Sequence, residues 1–192
     1  MKKLVYNIII TLFVIKITFL FSLFPAISLE KAYKAKDLSN YLSGVISLNE
    51  NDYETSYKFL KNINGLEKDH FTFSQIYLYS LINLNKFTEA FRYSRKLEQN
   101  QLNNFESDLV VGIYHLKNKK PFLAKKYLLR NYQRKNLDPI QKLISILILQ
   151  WSNFEDLSYQ DSIKRLEKID VRFDNIKKIQ KSFLNCYFDK SS

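Results

Sequence analysis

The residues able to do chemistry in this chain are few and dispersed. His70 and His115 are the only histidines, and Cys186 is the only cysteine. A metal site needs nitrogen, sulfur or carboxylate ligands that converge at short, characteristic spacings. Neither histidine has a partner at such a spacing. A single cysteine excludes an internal disulfide and a cysteine-built metal cluster; in a closing helix Cys186 is expected to pack as a small hydrophobe. The acidic pair Glu155-Asp156 stands beside a turn. A glycine-rich phosphate loop, a nucleophile elbow and a His-Glu-x-x-His zinc motif are all missing. The expectation is a non-catalytic protein without cofactor or metal. One group could still hold an anion: Lys126, Arg130 and Arg134 recur every fourth residue and so share one face of a helix.

What the sequence offers instead is spacing. Ser56, Ala90 and Ala124 stand at equal intervals along the chain. A second column, Gly44, Leu78 and Gly112, precedes them at a constant distance. Between the columns lies a turn, at Asn51-Asp52, at Asn85-Lys86 and at 118–120. Pro121 suits the first position of a helix, where its missing N–H is not needed. Two helices that cross closely need small residues at the crossing. Gly44, Gly112, Ser56, Ala90 and Ala124 are therefore read as packing positions, with Tyr53 and Phe87 filling the gap to the next unit. A period of about 34 residues indicates stacked helix pairs.

On these residues the chain resembles the tetratricopeptide repeat family. Gly44, Tyr53, Ser56, Leu60 and Ile63 supply one unit. Leu78, Phe87, Ala90 and Leu97 supply a second, in which polar Ser94 departs from the pattern. Gly112, Ala124 and Leu128 supply a third, with Pro121 and Asn131 as departures. The early Trp and Leu of the family pattern are absent. The resemblance implies an all-α fold: a right-handed α-solenoid of stacked helix pairs, with units at about 37–66, 70–100, 104–134 and 138–170 and a final helix at 171–188. The fourth unit opens on Asp138-Pro139, a helix-start signal. It continues with Ile140, Leu143, Ile144, Leu147, Ile148 and Trp151 at helical spacing. Ser162, Leu166 and Ile169 follow late, by about one helical turn. In the last helix Phe173, Ile176, Ile179, Phe183 and Leu184 form the apolar face. That helix either caps the array with its polar side, Asp174, Lys177, Lys178 and Lys181, or awaits further repeats.

In such repeats the first helix of each pair lines the inner surface. The inward positions are Tyr41, Val45 and Leu48, then Gln75, Tyr79 and Ile82, then Leu109, Ile113 and Leu116. They do not supply the Lys, Asn and Arg with which some family members grip a peptide carboxylate. An apolar groove of this kind suits an amphipathic partner helix, unless the final helix or further repeats fill it. The implied function is a scaffold that binds a protein or peptide.

The N-terminus sets the compartment. Lys2-Lys3, an apolar run from Leu4 to Phe24, and the small residues Ala26 and Ser28 have the layout of a secretory signal peptide cleaved before Leu29. The run also has the length of a membrane anchor, about 20 residues, although Lys16 interrupts it. Residues 1–28 are thus a signal peptide or an uncleaved anchor, and 29–192 the repeat domain. Either reading exports the repeats, into the periplasm of a two-membrane bacterium. The formal net charge is +11; Lys2, Lys3 and Lys16 lie in residues 1–28, which hold no acid, leaving +8 for the remainder. Dispersed lysines in a chain rich in Asn, Ile, Phe and Tyr fit an AT-rich coding sequence, and export disfavours a nucleic-acid partner. Two alternatives remain open: a membrane-anchored structural protein touching anionic lipid through Lys126, Arg130 and Arg134, and the first part of a longer repeat protein. No oligomeric state follows from the sequence.

Overall fold

The computed structural model describes residues 35–63, 65–152 and 157–189. The chain divides after Ala35, and the unit beginning at Lys36 is the one described. Ala26, Ser28 and the whole signal or anchor segment lie outside the described residues, as do Glu155 and Asp156.

Among the described residues the fold is all-helical. The helices are α1 (Ala35–Asn49), α2 (Tyr53–Leu60), α3 (Phe71–Asn83), α4 (Phe87–Gln99), α5 (Phe105–Lys117), α6 (Pro121–Tyr132), α7 (Pro139–Ser152), α8 (Tyr159–Leu166) and α9 (Asp174–Tyr187). Short 3-10 turns at Leu66–Lys68 and Val171–Phe173 precede α3 and α9. No described helix is long and apolar enough to cross a membrane.

The period of the sequence is written into the helix boundaries. Tyr53, Phe87 and Pro121 each open a helix at equal intervals, and so do Phe71, Phe105 and Pro139. The stops recur too. Asn51, Asn85 and Lys119 each adopt a left-handed backbone, at φ 61°, 58° and 54°. The amide after each bonds back to a carbonyl near the end of the preceding helix: Asp52 to Ser47, Lys86 to Leu81 and Lys120 to His115, all at 2.9 Å. This is the Schellman geometry that satisfies the last carbonyls of a helix. Asparagine tolerates left-handed φ better than most residues, which accounts for two of the three. Side-chain caps start other helices. Asp52 accepts from the Thr55 amide at 3.0 Å. Asn104 and Ser107 exchange bonds of 2.8 and 2.9 Å in a capping box. Asp138 and Gln141 form a similar reciprocal pair at the head of α7.

The last second helix comes late. Tyr159 opens α8 about one helical turn beyond the place that the period from Pro121 would give it. From there α8 repeats α2 rather than α6. Ser56, Leu60 and Ile63 are buried in and after α2, and Ser162, Leu166 and Ile169 are buried in and after α8. Each set is followed by a 3-10 turn and the next helix.

Each helix from α2 to α9 packs on the next in sequence, and α3 also meets α5. The core is correspondingly strung along the chain. One cluster joins Leu60, Ile63, Leu66 and Phe73. A second joins Leu78, Leu81, Ala90 and Leu97. A third joins Ala124, Leu128 and Leu149, and the last joins Leu143, Ile146, Leu166, Ile169 and Leu184. The packing columns explain one another. A Cβ on Gly44 would lie 2.6 Å from the Leu60 side chain, and one on Gly112 2.6 Å from Leu128. In the middle unit the same register holds Leu78 and Ser94, both buried. Large and small have exchanged sides, so Ser94 is a volume match for Leu78. The Ser56, Ser94 and Ser162 hydroxyls are buried without a hydrogen-bond partner. Size rather than polarity selects serine there.

Candidate functional site

The first helices α3, α5 and α7 carry a run of apolar side chains that the second helices leave uncovered. Tyr79 is 52% exposed and Ile113 46%, with Ile82 and Trp151 also open to solvent. Three adjoining hollows follow this run. One of about 340 Å³ is lined by Leu48, Gln75, Tyr79, Ile82 and Glu106, among others. Ile82 is shared with the next, of about 220 Å³, which adds Phe87, Val110, Ile113, Tyr114 and Lys117. Ile113 is shared in turn with a wider hollow of about 610 Å³, completed by Leu116, Leu147, Ile148, Trp151, Ser152 and Gln180. The result is a continuous apolar strip from the end of α1 to α9.

Six of the nine positions expected to face inward line this strip: Leu48, Gln75, Tyr79, Ile82, Ile113 and Leu116. Tyr41 does not. Its ring packs on His70 and Phe73, with centroids 4.9 and 6.3 Å away. Leu109 is spent on the cluster around Ala124 and Leu128. Val45 is half-buried and lines none of the three hollows. The expected packing residues Gly44, Ser56, Ala90, Gly112 and Ala124 are all buried.

The strip has a polar margin. Gln75 and Gln141 both donate to Glu106 Oε1, at 2.9 and 3.2 Å, linking α3, α5 and α7. Lys117 stands 5.2 Å over the Phe87 ring, a contact of cation–π type. At the far end the Trp151 indole N–H donates to Gln180 at 2.7 Å, and its ring meets Phe183 edge-on. Helix α9 therefore closes one end of the strip and leaves Tyr79, Ile82 and Ile113 uncovered.

Phe87, Tyr114, Lys117, Trp151 and Gln180 line the strip from outside the positions that the repeat phase selects. The phase assigns Phe87 to filling the gap to the next unit, and Trp151 continues the apolar face of α7. Tyr114 and Lys117 flank Ile113 on the same helix, so a groove drawn one residue wider includes them.

The basic face differs from a solvated anion site. Arg130 donates through Nε to Asp108 at 2.8 Å and through Nη1 to Glu98 at 3.0 Å. Arg134 donates to Asp108 at 2.6 Å. The Asp108 side chain is only 2% exposed. A carboxylate so placed requires cations, and helical spacing turns both arginines toward it. Lys126 reaches Glu98 at 3.9 Å. Burial pushes the Glu98 carboxyl up, but the Arg130 hydrogen bond and the charges of Arg95, Arg130 and Lys126 outweigh it, holding it below the ordinary value. Arg130 and Arg134 thus serve an internal network joining α4, α5 and α6, while Lys126 stays largely exposed at its edge.

His115 lies between the rings of Phe91 and Tyr127. Desolvation, helped by Lys120 and Arg95, lowers its pKa and favours the neutral form. His70 precedes α3 and packs on Tyr41. Among the described residues no group of three His, Cys, Asp or Glu side chains could hold a metal. Cys186 is exposed rather than packed, because on α9 it is Leu184 that turns into the core.

No family model matches this chain, and no curated protein and no solved structure is matched by it.

Proposed function

We propose that the described unit is a right-handed tetratricopeptide-like solenoid acting as a non-catalytic scaffold, and that it binds one partner helix along the strip from Leu48 to Trp151. The carrying observation is the continuity of that strip: three hollows joined through Ile82 and Ile113, on side chains left open by the second helices. Helix starts and left-handed stops that recur with one period support the solenoid reading. An apolar run across successive first helices matches one face of an amphipathic helix, whose anchors recur at i, i+3, i+4 and i+7. Contiguous apolar surface on a folded protein is a mark of interaction sites. Residues 1–28, as a cleaved signal or retained anchor, would place this scaffold in the cell envelope.

The test is site-specific photocrosslinking in the native host. A photoreactive phenylalanine replaces Tyr79 or Ile113 on the strip, or Arg92 away from it. Strip positions should give one discrete adduct that Arg92 does not, and Ile82→Glu should abolish it. Equal labelling from all three positions, or none from the strip, would sink the proposal.

A further inference from the structure

A second hollow, away from the strip, has the opposite character. It encloses about 460 Å³ and is lined by Tyr132, Arg134, Lys135, Leu137, Lys142 and Lys168. These residues come from the end of α6, the α6–α7 connection, α7 and the turn after α8. Four of the six are cationic and none is acidic.

Arg134 is already committed to Asp108. Lys135, Lys142 and Lys168 are not: no described carboxylate lies within ion-pair distance of any of them. The acids close by in sequence are engaged elsewhere. Asp138 caps α7 through the Ile140 and Gln141 amides at 2.8 and 2.9 Å. Asp170 is clamped by Arg172 through two side-chain bonds and one backbone bond, each 3.0 Å. Lys142 acts on Asp170 only as a weaker charge at longer range. Nor are the lysines needed to satisfy helix ends. The closing carbonyls of α6 take the Gln133 and Arg134 amides at 3.0 and 3.1 Å. Those of α8 take the Glu167, Lys168 and Ile169 amides at 3.0 to 3.2 Å.

Tyr132 supplies the directional element. Lys168 Nζ donates to the Tyr132 hydroxyl oxygen at 2.7 Å. With that oxygen accepting, the phenolic hydrogen remains available, and it is given to no described residue. Three lysines and one O–H donor therefore line a single space, and none of the three lysines is ion-paired with a described carboxylate. Three cations exceed what one carboxylate needs and suit an ion with several charged oxygens.

The geometry points to a phosphate-binding site in this hollow, held by Lys135, Lys142 and Lys168 with the Tyr132 O–H as the fourth donor. The ligand is a phosphate group bearing two negative charges, either free or presented on a lipid headgroup.

The experiment is an amide NMR titration of the purified repeat chain with inorganic phosphate at neutral pH. Sodium chloride at matched ionic strength is the control, since non-specific attraction responds to salt alone. Phosphate should give saturable shifts at the amides of Lys135, Lys142 and Lys168 that chloride does not. The Lys142→Gln, Lys168→Gln double variant should weaken binding by at least about tenfold. Tyr132→Phe should weaken it by roughly tenfold, the loss of one hydrogen bond to a charged acceptor. Both variants alter exposed or half-exposed groups, and an unchanged far-UV spectrum would certify their fold. Flotation with phosphatidic acid vesicles separates the sources. Vesicle binding lost in the double variant would assign the phosphate to a lipid, and free phosphate binding without vesicle binding to a soluble ligand. Shifts equal for phosphate and chloride, or unaltered in the double variant, would overturn the assignment.

Discussion

Gly112→Ala is the sharpest test of how the helix pairs are built. Replacing glycine by alanine within a helix ordinarily stabilises by about 1 kcal/mol, because glycine loses more backbone freedom. At this position the new methyl would lie 2.6 Å from Leu128 Cδ2 and 2.8 Å from its Cγ. Leu128 is 2% exposed and the Cγ is not a free end, so the side chain cannot swing clear. Overpacking of this kind costs roughly 1–3 kcal/mol. The clash should win, leaving a net loss of about 1 kcal/mol. The decisive comparison is the same substitution beside Leu128→Ala. That change alone should cost about 2–5 kcal/mol through lost burial and a cavity. In its background Gly112→Ala meets no obstacle and should stabilise, so its sign reverses, with a coupling of roughly 1–3 kcal/mol. Urea unfolding followed by far-UV circular dichroism on the four proteins reads this directly. Gly44→Ala against Leu60 is an independent repetition, with its own 2.6 Å approach. If Gly112→Ala stabilises with Leu128 intact, the close approach does not set the spacing of α5 and α6, and the volume match between Leu78 and Ser94 loses its meaning.

Two further outcomes follow from the charged network. Asp108→Ala removes the acid that Arg130 and Arg134 share, leaving Arg130 with Glu98 alone. Breaking a buried ion pair costs about 3–5 kcal/mol. Both arginines are about a third exposed, so water recovers part of it and a loss of roughly 2–4 kcal/mol is expected. At about 2–4 °C per kcal/mol for a chain this size, a fall in Tm below about 4 °C would contradict the network's importance. The second outcome concerns acid. Glu67 and Glu98 both keep depressed carboxyl pKa values despite burial, through Lys96 and through Arg130 respectively. A depressed pKa gives stability that is present above the unfolded value, about 4.3, and lost as pH falls through the folded one. His115, held neutral, acts in the same direction, losing stability as pH falls below about 6.5. Urea midpoints should therefore drop from pH 7 toward pH 3, and Glu98→Gln should flatten the lower part of that slope; an unchanged slope would count against it.

Much of the architecture is legible in the sequence because it is local. Asn51 and Asn85 stop helices, Pro121 and Asp138-Pro139 start them, and the evenly spaced columns keep register. These signals act within a few residues and survive without knowledge of neighbours. The inner strip is less legible. Tyr41 and Leu109 occupy the repeat position of Gln75, which lines the strip, yet they pack against the core. What separates them is where the neighbouring helix sits, which a single-helix phase does not encode. Arg130 and Arg134 mislead for the same reason: their spacing marks a common face, while the burial of Asp108 decides what that face meets. Ser94 reads as a defect in its own helix and makes sense only against Leu78.

The polar links between units fall mainly on the second helices. Tyr57 donates to Glu89 at 2.8 Å, Lys96 reaches Glu67 at 3.0 Å, Tyr127 donates to Glu98 at 3.2 Å, and Arg130 joins Glu98 and Asp108. On the first helices the comparable ties are those of Gln75 and Gln141 to Glu106 and of Trp151 to Gln180, and Ile82 and Ile113 take no part in them. The aliphatic side chains at the middle of the strip, Ile82 and Ile113, therefore carry none of these polar ties. A side chain already half exposed contributes little burial to folding, so replacing one on the strip removes apolar contact area from a partner without opening a core. The expectation is that Ile113→Glu lowers the urea midpoint by no more than the equivalent of about 1.5 kcal/mol, half of a full isoleucine burial, while eliminating the photocrosslink from position 79. A large loss of stability would mean instead that Ile113 belongs to the core, and that the strip is packing surface for the chain itself rather than a seat for a partner helix.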